Sequence, residues 1–458
     1  LAAWCKISFE NYASNPLCSE TATLYLNGIL VTHIQIPENV TEIKNYTFLN
    51  CSSLTSVKIH NKVTSIGQDA FSSCVGLKDI EIPNGVTIIG VEAFWGCNKL
   101  ESVTIGNNVK TIGFMAFAYC ESITTINIPN SLTSIEGDAF VRCMSLTAVY
   151  IEDLVSWCAI SFADKYSNPL SYAKTLYLNG ELVTDLNIPD SLTSISNYAF
   201  YNCSSLTSIT IPYGVTSIGS EAFSGCYKLV EVYNMSELPI VAGTKDYGFV
   251  AYYAKNVYTQ EGESWITDTA EGYRFFYDGS KGYLLGYNGT DKELILPNSF
   301  TEHNGMEITE YEIYQYSFYN CSSLTSIEIP ASVTSIGSYA FYNCSGLTSI
   351  EIPASVTSVG SSAFSGCSDL KSVLFGENSQ LTSIGWSAFF NCSGLTSIEI
   401  PASMTSIGSY AFSGCSSLTS ISYTGTMEQW NAITKGNSWN NNTGNYIIVC
   451  NDGTINKN

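Results

Sequence analysis

The chain has 458 residues, with 40 acidic against 19 basic side chains and a net charge near −21, so a surface that reads a phosphate backbone is excluded. Hydrophobic residues make up 45% and charged residues 13%, against about 25% charged in an average globular protein, which is enough for an extensive core. No run approaches the ~18 apolar residues of a membrane span, and Leu1 opens no basic or apolar leader, so the expectation is a soluble chain trimmed at its N-terminus.

Residues 1–30 carry a first module, LAAWCKISFENYASNPL followed by LYLNG. From residue 31 to 153 the pattern changes to a strict period. Cys51, Cys74, Cys97, Cys120 and Cys143 follow one another at 23 residues, and the interval returns at Cys203 and Cys226, at Cys321, Cys344 and Cys367, and at Cys392 and Cys415. Twelve of the 16 cysteines are thereby placed in one column. The clearest copy is LTSIEIPASVTSIGSYAFYNCSG, Leu324 to Gly346. Ile327 and Ile329 alternate around Glu328, as a strand with one buried face requires. Pro330 ends that strand, and the same slot holds nine of the twelve prolines, where a residue without N–H marks a corner. A second short strand, Val333 to Ile336, ends at Gly337, read as a turn with positive φ. Phe341 and Cys344 stand three apart, as on one face of a short helical turn. A 23-residue unit of this kind buries its apolar face only by stacking. Twelve copies about 4.8 Å apart would make a body about 60 Å long.

The pattern LxxIxIPxxVxxIGxxAFxxC resembles the BspA-like leucine-rich repeats. The resemblance covers about 300 of the 458 residues. It implies a β-rich leucine-rich-repeat solenoid of parallel strands with one short helical turn per rung and inserted modules. Its functional implication is broad: surface display, adhesion and binding of host macromolecules, outside the cell or on its surface, with no catalytic residues to carry over.

The remaining segments depart from the plain array. Residues 154–182 repeat the Trp-Cys module as LVSWCAISFADKYSNPL and LYLNG, with Asp153 read as the N-cap of a short helix. This copy is expected to interrupt the array, which resumes over 183–233, and to cover exposed core. Because a strand precedes Trp157 and nothing precedes Leu1, the chain is read as starting inside a module. Residues 234–292 are the least repetitive and hold eight tyrosines, Tyr247 to Tyr287. YRFFYDGSKGYLLGY reads there as a β-hairpin projecting from the wall, with Tyr247, Phe249, Tyr252, Tyr253 and Tyr258 packed on it. Repeats resume over 293–423, with two extra residues at a surface corner in GENSQ. Residues 424–458 form a cap, where Thr426 and Gln429 make a capping box ahead of Trp430.

Candidate chemistry is sparse. Parallel side chains in a ladder do not converge as a disulfide requires, so the cysteine column is read as buried free thiols. With His33, His60 and His303 the only histidines and no CxxC, neither a metal site nor another cofactor is expected. Trp4-Cys5 and Trp157-Cys158 lack a nearby base and read as packed helix faces. Asn-Cys-Ser at Asn320, Asn343 and Asn391 fits a glycosylation sequon but also belongs to the repeat. Glu328 and Glu351 are expected to face each other on adjacent rungs, screened by water. Tyr and Trp favour interfaces, so Tyr252, Tyr253, Trp265, Tyr273 and Tyr283 are the candidate contacts of a non-enzymatic binding protein. Its partner would be a protein or a glycan, with neither nucleic acid nor a membrane span involved; a passive stalk is the remaining alternative.

Overall fold

The structure, a computed structural model, describes residues 1–19, 23–260, 262 and 264–457. They divide into two compact units, Leu1–Glu261 and Gly262–Asn458, each with its own hydrophobic core. Each unit is a parallel β-solenoid whose rungs have three sides.

The first side is the LxxIxI strand. Asp79–Ile82 pairs in parallel with Ser102–Ile105, joining Asp79 to Ser102, one period on. Along it Asp79 and Glu81 are exposed while Ile80 and Ile82 are buried, the alternation the sequence predicts. In the second unit Ser349–Ile352, Ser372–Phe375, Ser397–Ile400 and Ser420–Tyr423 run side by side. The two extra residues of GENSQ lie between Phe375 and Leu381 and leave this register intact, Ser372 pairing with Ser397.

The second side is the short VTSI strand, six of which, from Glu42–Ile43 to Ser161–Phe162, form one sheet in the first unit. The glycine that follows was expected to have positive φ, and it does not. What it provides is room: a Cβ on Gly360 would lie 2.5 Å from Ser338 N and 2.6 Å from the carbonyl carbon of Gly337. Neighbouring rungs touch backbone to backbone at this corner.

The third side holds the AFxxC segment. Its one-turn spacing is kept, with Cys344 N donating to Phe341 O at 3.2 Å, but the segment is a run of tight turns without helix. Amides alternate along it. Tyr339, Phe341 and Asn343 donate to Ser361, Ala363 and Ser365 of the next rung, whereas Ala340, Tyr342 and Cys344 donate back to Gly337, Tyr339 and Phe341. The alternation needs left-handed backbone at two positions per rung, Tyr339 at φ 57° and Asn343 at φ 56° in this one. Asn tolerates that region best after Gly. This accounts for Asn before Cys at Asn50, Asn202, Asn320, Asn343 and Asn391, all with positive φ. Inside the turns the phenylalanines stack: Phe341, Phe364, Phe389 and Phe412 follow at 5.1, 5.2 and 5.3 Å between centroids, with rings tilted by 4° or less.

The Trp-Cys module is a lengthened rung at which both sheets of the array end; Asp185–Asn187 and Ser194–Ile195 begin new ones. Ser161–Phe162 extends the second side from Ser134–Ile135, and Leu176–Leu178 extends the first side from Ala148–Ile151. Helix Leu154–Ala159 is capped by Asp153, which accepts from Val155 N and Ser156 N. Trp157 Nε1 donates to Ala199 O at 2.9 Å, and buried Asn168 donates to Tyr198 O and Ala199 O. The first module repeats this, Trp4 donating to Thr47 O and Asn15 to Tyr46 O. The chain's end uses the same plan. Helix Met427–Ala432 carries the expected capping box of Thr426 and Gln429, Thr434–Lys435 joins Ser406–Ile407, and Ile447–Cys450 joins Ser420–Tyr423.

The tyrosine-rich stretch is divided between the units. In the first, Asn256–Tyr258 pairs in parallel with Glu231–Asn234, so the chain after Asn234 makes one more rung, with buried Ala251 at its turn. In the second, Ile266–Asp268, Tyr273–Tyr277 and Gly282–Tyr287 form an antiparallel meander. Its last strand pairs in parallel with Tyr311–Ile313, so that the meander forms the first three strands of a nine-stranded sheet. The expected hairpin is present but does not project; it continues the wall.

Candidate functional site

This placement decides the surroundings of the five aromatic candidates. Tyr273 and Tyr283 are each 5% exposed. Tyr273 Oη donates to Ile295 O at 2.8 Å, and Tyr283 Oη to Asp278 Oδ2 at 2.9 Å. Both are core residues, because a hairpin that extends a solenoid sheet is covered on both faces, so neither offers a contact. Burial also raises the Tyr283 phenol. Trp265, half-buried, meets His303 edge-on at 4.4 Å. Tyr252 and Tyr253, in the other unit, are half-buried with ring centroids 4.7 Å apart. Tyr253 also meets Tyr227 at 5.2 Å, and Tyr252 meets Phe249 at 5.7 Å. Lys245 Nζ lies 5.6 Å from the Tyr252 ring, a cation–π arrangement.

Among the described residues, three surface grooves carry further polar chemistry. Two occupy the same place in a rung, where the first strand turns its corner next to a module hairpin. In the first unit this groove, about 660 Å³, is lined by Thr104, Asn107, Asn127, Asn130, Tyr150, Glu152 and the hairpin tip Asn179-Gly180. That tip has φ of 53° and 86°, the backbone of a two-residue turn matching strand twist. In the second unit the equivalent groove, about 600 Å³, is lined by Glu377, Asn378, Gln380, Glu399, Ser403 and Thr424. Several of those side chains are engaged internally: Thr424 accepts from Ala402 N, Gln380 donates to Asn378 O, and Ser403 donates to Leu381 O. The third groove, on the turn side of the first unit, holds Asp69 and Glu92 beside Tyr12, Tyr46 and Trp95. Burial raises both carboxyls, and each interacts with the other. Asp69 also accepts from Gln68 Nε2 at 3.1 Å.

The thiols are not poised for attack. Burial raises Cys158 to about 12 and raises Cys5, the opposite of the lowered pKa an activated thiolate needs. Among the described residues no group of three or more His, Cys, Asp or Glu side chains forms a metal cluster, and no helix is long and apolar enough to cross a membrane.

The repeats match the family described as BspA type Leucine rich repeat region, in six copies over residues 23–148, 173–249 and 311–438. Among solved structures, the chain is similar to a leucine rich cell surface protein from Faecalibacterium prausnitzii A2-165, at 28% identity over 88% of this chain and 90% of that one, with a TM-score of 0.37. It is also similar to a leucine-rich repeat protein from Bacteroides ovatus ATCC 8483, at 24% identity over 89% and 82%, TM-score 0.32. The pneumococcal vaccine antigen PcpA follows at 15% identity over 92% and 80%, TM-score 0.31. No curated protein matches the chain. The matched repeats span well over half of the 458 residues, in the rungs whose Phe, Cys and Gly columns were traced above, and the chain belongs to the BspA-type leucine-rich repeat family.

Proposed function

We propose that this is a non-enzymatic binding or adhesion protein, displayed outside the cell or on its surface, whose rungs present side chains to a protein or glycan of a host or matrix. The observation that carries this reading is the cluster of Phe249, Tyr252 and Tyr253 with Lys245 on the last rung of the first unit, against Tyr227 of the rung before. Aromatic side chains of this kind bring large, rigid contact area to an interface, whereas the Ser/Thr-rich remainder of the repeat offers few anchors. Trp265 is the corresponding candidate on the second unit.

Point substitutions test this better than removal of residues 234–292, which would take away a complete rung and the edge of a sheet. Tyr252→Ala/Tyr253→Ala and Trp265→Ala are compared with the wild type on immobilised matrix proteins and glycans. The double substitution is expected to weaken the interaction tenfold or more while the melting temperature holds. Equal affinity in all three proteins would take the contact away from these aromatics.

A further inference from the structure

We propose that the corner groove of the first unit is a binding site for a neutral oligosaccharide. Its lining argues for the class of ligand. Thr104, Asn107, Asn127, Asn130, Glu152 and Asn179 are all exposed, and none makes a side-chain hydrogen bond among the described residues. Four primary amides in one groove offer paired donors and acceptors at short spacing, which suits a ligand whose hydroxyls both donate and accept. In the equivalent groove of the second unit much of that capacity is used internally. The two grooves share a position and differ in what they leave available.

Charge narrows the class further. Glu152 is the one carboxylate in the lining, and no Lys, Arg or His joins it. A phosphate, a sulfated glycan or a uronate would meet no counter-charge there. Tyr150 supplies the apolar element. Its ring stacks on Tyr177 at 4.8 Å, and in register its other side is turned to Asn127, a shorter side chain. An aromatic face at the end of a polar shelf is suited to the C–H face of a sugar ring while the amides engage its hydroxyls. A neutral peptide is disfavoured, since Ala148–Ile151 is hydrogen-bonded to strands on both sides and offers no free edge for main-chain addition.

The site is separate from the Tyr252/Tyr253 cluster, and the experiment keeps them apart. Short neutral gluco-, manno- and N-acetylglucosamine oligosaccharides, a uronate oligosaccharide and a neutral polar peptide are titrated by calorimetry into the intact chain. At least one neutral saccharide is expected to bind and the uronate and peptide to fail. Asn127→Ala and Tyr150→Ala should each weaken it tenfold or more; Asn127 is exposed, so its loss leaves the fold in place, as a melt will show. Tyr252→Ala/Tyr253→Ala should bind the saccharide like the wild type. Binding of no neutral saccharide, binding of the peptide alone, equal affinity in Asn127→Ala, or loss only in the Tyr252/Tyr253 variant would each overturn the proposal.

Discussion

The cysteine column shows what one side chain does in most rungs. Its burial and its free thiols are legible in the sequence, since the spacing is uniform and parallel side chains do not converge. The reason for sulfur is not, because it depends on an atom of another rung. Phe341 O accepts from Cys344 N in its own rung and from Cys367 Sγ in the next, both at 3.2 Å. The same bond runs from Cys97 to Phe71, from Cys120 to Phe94 and from Cys415 to Phe389. A small, readily buried residue with a weak donor satisfies the second lone pair of that carbonyl. Burial raises Cys97, Cys143, Cys367 and Cys415 to about 12, from 9.0. The folded state therefore keeps protons that the unfolded state releases above about pH 8.5. Stability present below that pH is lost as pH rises, by up to ~1.36 kcal/mol per pH unit for each such thiol. Melts in reductant should fall steeply between about pH 8.5 and 10, before most tyrosines ionise, and Cys367→Ala should flatten the slope by one proton. A level profile over that range would show that the thiols are not held protonated.

Among elements, the repeat columns were legible because each has one residue type at a fixed spacing, yet two of their causes were not. The glycine after each second strand reads in sequence as a turn residue, whereas in the structure it is a contact between rungs. Gly360→Ala is expected to cost about 1–3 kcal/mol or more, since a Cβ there meets backbone that cannot rotate away. Urea denaturation monitored by circular dichroism measures this; a loss under about 0.5 kcal/mol would mean the rungs separate freely at that corner. The hairpin from Tyr273 to Tyr287 was legible from its turn and its alternation. Its burial was not, since partners arrive from Tyr311–Ile313, far along the chain. That is why Tyr273 and Tyr283, plausible contacts in sequence, are core. The groove residues Asn127 and Tyr150 left no motif, and Asn179 left only its place in LYLNG, because three rungs and a hairpin bring them together. Asn15 and Asn168 had a signal, the duplicated SNPL, although its meaning needed the carbonyls across the rung.

In the molecule as a whole, stability rests on rungs that each contact only their neighbours, so it is close to a sum of rung and interface contributions. Removing Leu347–Asp369, one complete period, brings Leu370 to the place of Leu347 and Phe389 next to Phe341. The shortened chain is expected to fold and to unfold at a modestly lower temperature. Removing Leu347–Ser368, one residue fewer, offsets every later strand and exchanges its buried and exposed faces. That variant is expected to lose its cooperative melt, and a melt equal to that of the whole-rung deletion would show that register is not held by the columns. Pairing at a fixed separation of one period also reaches the coding sequence. Near-identical repeats invite unequal crossing-over, and each exchange between equivalent points adds or removes whole rungs in frame without exposing an edge. Length can thus change by whole rungs, as copy number, with the pairing on either side preserved.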